Sequence, residues 1–173
     1  MNKEKQNIQG NVNYLSDDFI INNFEEVFNN VILTTLNTIE NIEIFIDSYL
    51  ELNFVSDQII KEINYKYAGI NEVTDVLAFP YFNDTDLDGD KLLKEEFLFH
   101  PSTKTNIGEI FISLPTASKQ SIVNNNSVFN EVLILTIHGL LHIFGYGHYE
   151  KNEKTIMQRK EKLIFDRVIK NVW

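Results

Sequence analysis

The chain contains no cysteine, which rules out a disulfide framework and any thiolate metal site. Glycine and proline are few, at seven and three among 173 residues, and no internal repeat or low-complexity segment interrupts the sequence. Arginine occurs only as Arg159 and Arg167. The longest strongly apolar stretch, 132–137, is far too short to span a bilayer. The opening residues MNKEKQNIQG are polar and lead into no signal-peptide core. The expectation is a soluble cytoplasmic protein with no membrane partner.

Cationic charge is also scarce, with 15 Lys and Arg against 25 Asp and Glu, a formal net charge of -10. Broad coating of nucleic acid needs Lys or Arg facing phosphates, so nonspecific binding is disfavoured and DNA is not an expected partner. Seven of the 15 cationic residues fall between Lys151 and Lys170, interspersed with Glu153, Glu161 and Asp166. A solvated helix face accounts for that run as well as a basic surface does.

What the chain does have is core material: 43% hydrophobic and 12% aromatic residues, chiefly 13 Phe and seven Tyr. That suits one domain over 1–173, carrying a variable acidic loop at about 82–105. Asp17 and Asp18 are placed to cap a helix through Phe19, Ile20, Phe24, Val27 and Ile32. IEIFID (42–47) alternates as a strand does, and a helix is expected over about 56–67 with Gly69 as its stop. TDVLAFP (74–80) reads as a buried strand and GEIFIS (108–113) as another. Helices follow at about 115–124, 127–144 and 150–170, with Gly145 ending the middle one. Few strands among about five helices predict an α+β fold with a small sheet. Phe79, Phe111 and Leu140 read as core, Asp75 and Glu109 as caps or polar site residues.

Within the acidic loop, DTDLDGDKLLKE (84–95) satisfies a calcium-loop spacing through Asp84, Asp86, Asp88, Gly89 and Glu95. Lys91 occupies a position that is usually apolar, and a strand rather than a helix precedes it, so an acidic turn is the preferred reading. His100, in the same loop, is read as solvated.

The chemistry concentrates in TIHGLLHIFGYGHYE (136–150), which holds three of the four histidines. His138 and His142 stand one helical turn apart and can offer ring nitrogens to one ion. Gly145 ends the helix, and Tyr146-Gly147 lets the chain turn so that His148 completes a triad. Three imidazoles suit one Zn2+ per chain and leave a fourth position open. Zinc there lowers the pKa of water from about 15.7 toward about 7 and polarises a phosphoryl or carbonyl oxygen. The spacing HxxxHxxGxxH is shared with metzincin peptidases, which carry a glutamate base after the first histidine. Here that residue is Gly139, which cannot accept a proton.

HGLLHIFGYGH resembles HGxLHLxGYDH, the signature of the YbeY family of rRNA maturation endoribonucleases. TDVLAFP resembles the family's TDVLSFP strand, GEIFIS its GDIxIS strand, and Met157 and Glu161 fall where its last helix has Met and Glu. The resemblance implies a zincin-like α+β fold with a small mixed sheet, and a zinc-dependent, single-strand-specific endoribonuclease acting in 16S rRNA 3′-end maturation and ribosome quality control. It implies His138, His142 and His148 as ligands, and the small ribosomal subunit, its rRNA and assembly factors such as the GTPase Era as partners. Two positions depart from the family: Ala68 stands where an arginine is usual, and Gly147 where the signature has Asp. Lys66 is the nearby cation that could stand in for the first, and Glu109 or Glu150 the carboxylate for the second. The departures keep a second expectation open, a catalytically weak metal-binding ribosome-assembly factor. A zincin-type peptidase is disfavoured by Gly139.

Overall fold

A computed structural model describes residues 8–15, 21–39, 48–81, 104–147 and 151–172. The expectations for Asp17, Asp18, the 42–47 run, Asp84 to Glu95, His100, His148 and Glu150 lie outside these residues. In chain order the elements are β1 (Ile8–Tyr14), α1 (Phe24–Leu36), β2 (Ser48–Val55), α2 (Asp57–Ala68) and β3 (Val76–Pro80). They continue with β4 (Thr105–Ser113), α3 (Leu114–Val123), α4 (Val128–Ile143) and α5 (Lys151–Val172). The strands form one sheet in the order β1-β2-β4-β3, parallel except for the antiparallel pair β3/β4. This is the α+β arrangement with a small sheet that the pattern of elements predicts, and the sheet is mixed, as the resemblance implies.

Period-two alternation divides the sheet cleanly. Val12, Leu52 and Ile110 share one face by register, as do Tyr14, Phe54 and Ile112. Leu50, Leu52, Phe54, Ile110 and Ile112 are fully buried there beneath α1, α4 and α5. The opposite face carries Asn11, Glu51 and Glu109 in one row and Asn13, Asn53 and Phe111 in the next. Among the described residues α2 covers part of it, over β3 and β4.

Sequence reading missed β1 because IQGNVNY has only three large apolar residues. They pack inward with Gly10, which lies so close to Phe28 that a Cβ there would come within 2.5 Å of its ring. Asn29 of α1 clasps the same residue: its Oδ1 accepts from Gly10 N at 2.8 Å and its Nδ2 donates to Gly10 O at 3.1 Å. A strand is described at Ser48–Val55, directly after the 42–47 run, with Leu50, Leu52 and Phe54 facing the core. TDVLAFP forms a strand as expected, but as the half-buried edge of the sheet rather than a buried member.

Both strand-to-helix junctions at the top of the sheet use a serine N-cap: Ser56 before α2 and Ser113 before α3. Asp57 ties them together. Its Oδ1 accepts from the hydroxyls of Ser113 (2.5 Å) and Thr116 (2.7 Å), and its Oδ2 from Lys119 at 2.9 Å. Burial alone would raise this carboxyl's pKa, but the bonds from Ser113, Lys119 and Thr116, with the Lys119 charge, hold it down at about 2. A depressed folded-state pKa means stability that is present above the unfolded value and is lost as pH falls through the folded one. Asp57→Asn is therefore expected to cost about 1–3 kcal/mol at pH 7 in urea unfolding. That difference from wild type should stay constant above about pH 5 and shrink between about pH 4 and 2.

Candidate metal and RNA site

Helix α4 begins at the Ser127 cap, whose hydroxyl accepts from Asn130 N at 3.1 Å. It is apolar on nearly every side, and Val132, Leu133, Ile137, Leu140, Leu141 and Ile143 are all buried. Glu131, 5% exposed, is satisfied by the Asn124 and Asn126 side-chain amides at 3.0 and 3.4 Å, which pins the preceding loop to the helix start. The helix ends at Gly145 with φ 79°, the left-handed stop expected from sequence.

Two close approaches seat α4 on the sheet. A Cβ at Gly139 would lie 2.8 Å from Ile110 Cγ2, and one at Gly108 would lie 2.7 Å from Ile143 Cδ1. The helix therefore runs down β4 with Gly139 level with Ile110 and Val76, and Ile143 level with Gly108 and Phe79. Gly139 faces the sheet, so a side chain there would enter the core rather than the surface where His138 and His142 sit. A glutamate at this point of α4 has no space and no view of the histidines.

His138 and His142 are half-buried, with their Nε2 atoms 3.1 Å apart and their rings nearly perpendicular at 4.6 Å between centroids. On its other side, His138 Nδ1 meets Glu161 Oε1 of α5 at 2.7 Å. The carboxylate accepts the Nδ1 proton, which leaves the Nε2 lone pair directed toward His142. Glu161 reaches this position because Met157, Ile164 and Val168 bury the same side of α5. Sequence reading had marked Glu161 and Met157 only by resemblance; the spacing 157, 161, 164, 168 is the signal that they share a helix face.

The structure brings together His138, His142 and Glu161. His148 lies outside the described residues, and among those described no group of three or more His, Cys, Asp or Glu converges as a metal cage. Glu109 and Lys66 are not beside the histidines. They line a cleft of about 330 Å³ on the outer face of the sheet, under α2, together with Tyr67, Phe79, Tyr81 and Phe111. Phe79 and Phe111, expected in the core, are half-buried walls of this cleft because they alternate with Ala78 and Ile110. Leu140 is core, as expected. Asp75 is a local organiser: it accepts from Val76 N at 2.8 Å and Gln120 Nε2 at 2.9 Å. Ala68 is exposed at the end of α2.

The family profile described as Endoribonuclease YbeY matches residues 11–169. This chain belongs to the YbeY family. An Endoribonuclease YbeY of Thermoanaerobacter sp. is 35% identical over 151 residues, covering 84% of this chain and 88% of that protein. Those of Desulforamulus reducens and Clostridium botulinum are 37% and 38% identical over 70% and 69% of this chain, and over 73% and 74% of their own lengths. The solution structure of TM1509 from Thermotoga maritima shares the fold, with a TM-score of 0.52 and 23% identity over 93% of this chain and 88% of that one. Among the described residues no helix is long and apolar enough to cross a membrane.

The seating of α4 gives a direct expectation. Gly139→Ala should destabilise the protein by about 1–3 kcal/mol, because Ile110 must move to admit the methyl. A urea or thermal unfolding comparison with the wild type reads this; an unchanged midpoint would mean that the close approach carries no energy.

Proposed function

We propose that this chain is a zinc-dependent endoribonuclease of the cytoplasm that cuts single-stranded RNA. The substrate would be small-subunit rRNA precursors, in 16S rRNA 3′-end maturation and ribosome quality control. The small ribosomal subunit and assembly factors such as the GTPase Era are its proposed partners. The observation that carries the reading is the pair of Nε2 atoms 3.1 Å apart on His138 and His142, with Nδ1 of His138 held by Glu161. Two ligands at about 2.0–2.1 Å from a tetrahedral zinc stand about 3.3–3.4 Å apart, so the two histidines fit such an ion closely.

His138, His142 and His148 would hold the ion. Once bound, zinc supplies a Lewis acid that polarises a phosphoryl oxygen and acidifies water. The chain's own contribution starts with Glu161, which keeps the proton on Nδ1 of His138 and fixes the plane of its ring. Gly139, turned into the core, supplies no peptidase base, which supports phosphodiester rather than peptide cleavage. The names of the relatives support the same substrate class.

A second reading, a metal-holding assembly factor with little nuclease activity, is favoured by Ala68. This exposed residue offers no guanidinium to a phosphate. The paired substitution Ala68→Arg with Gly147→Asp separates the two readings. A gain in cleavage above tenfold supports a weakened site, and no gain supports a site that works as built.

The proposal is tested by metal analysis and RNA cleavage on the full chain. One zinc per chain and cleavage of single-stranded RNA are expected for the wild type, and both should be lost in His142→Ala. Wild-type protein that holds no zinc and leaves single-stranded RNA intact would sink the reading. Glu161→Gln should weaken zinc binding by about 10–100-fold in a chelator competition, with the unfolding midpoint of the zinc-free protein little changed.

A further inference from the structure

The cleft beneath α2 belongs to no part of the metal site, yet it opens at the same end of β3. Ile143, next to His142, packs level with Gly108 and Phe79 on the inner face; Phe79, Tyr81 and Glu109 line the cleft on the outer face. β3 and β4 therefore carry the cleft on one face and, on the other, the helix that bears the histidine pair. We infer that the cleft is a pocket for one unpaired, amino-bearing base of the RNA chain whose phosphate lies at the histidines. This inference rests on the RNA-cleaving reading above.

The lining has the two chemistries such a base needs. Tyr67 and Phe79 stand 5.0 Å apart, and Phe79 and Phe111 5.9 Å, a tilted aromatic wall on which a base can stack. Tyr67 is 63% exposed and Tyr81 52%, a large apolar and polarisable surface left to solvent. Glu109 also lines the cleft, near Tyr81; burial together with the neighbouring Glu109 and Glu51 carboxylates raises the Tyr81 pKa. A carboxylate has about four lone-pair sites, so Glu109 retains capacity to accept from an exocyclic amino group. Glu51 lies beside Glu109 in register, and burial with the Glu109 charge raises its pKa.

The carboxylates that line the cleft, Glu109 and Glu62, repel a phosphate and suit an amino donor. They discriminate against uracil, which presents a carbonyl oxygen where cytosine presents an amine. Lys66 lines the cleft with its Nζ 4.9 Å from the Tyr67 ring centre, where it can meet the phosphate of the bound nucleotide. The volume of about 330 Å³ is within the range of about 300–1,000 Å³ usual for small-ligand pockets.

Fluorescence anisotropy with the full chain carrying His142→Ala, which the reading above leaves unable to cleave, titrated into labelled hexamers of cytidylate and of uridylate, tests the pocket; gels run afterwards confirm that the RNA is intact. The expected result is about tenfold tighter binding of the cytidylate hexamer. Glu109→Gln should abolish that preference, since an amide both donates and accepts. Tyr67→Ala, an exposed substitution that spares the core, should weaken both hexamers about tenfold. Equal binding of the two hexamers by the His142→Ala chain, or a preference that survives adding Glu109→Gln, overturns the pocket and leaves the nuclease reading, which wild-type cleavage tests, intact. Failure to bind either hexamer while the wild type still cleaves single-stranded RNA also overturns the pocket alone. Failure of that chain to bind and of the wild type to cleave overturns the nuclease reading with it.

Discussion

Everything at the candidate site depends on how closely α4 approaches the sheet. Gly139 against Ile110 and Gly108 against Ile143 allow the helix and the strand to meet with no intervening Cβ. Protein interiors are packed densely enough that such contacts have one solution rather than several. With α4 seated, the orientation of His138 and His142 is no longer a side-chain choice, because the helix rotation that buries Leu140 and Ile137 also turns the two rings toward α5. The apolar core and the polar site are consequences of a single helix placement.

That placement explains why the same histidine spacing serves a different chemistry from a peptidase's. The residue after the first histidine is turned into the core here, so a general base cannot come from it. Polar control of the site comes instead from α5, through Glu161. A long amphipathic helix at the end of the chain thus does two jobs at once: Met157, Ile164 and Val168 bury it, and Glu161 emerges from the same face at the histidine.

Much of this was legible in the sequence, and the reasons are specific. The histidines at a four-residue interval, the glycine stop at Gly145 and the strands at TDVLAFP and GEIFIS carry strong local signals, and these elements fell where their patterns put them. The strand β1 was not legible, because it has only three large apolar residues and its central Gly10 is held by partners from α1, namely Phe28, Ile32 and Asn29. Glu109 and Lys66 show the limit most plainly. Linear order places Glu109 in a motif strand and Lys66 near a family position, but strand parity sends Glu109 to the sheet face away from the histidines, and α2 carries Lys66 there with it.

The clasp of Asn29 on Gly10 has a consequence for the molecule among its neighbours. The open side of β1 is where another chain could add its own strand, since an edge offers unpaired N–H and C=O groups to any extended peptide. One carboxamide from α1 takes both of those groups at Gly10 and breaks the row at its middle. Among the described residues the sheet ends at β1, and at Gly10 that edge has no free backbone group to offer an incoming strand.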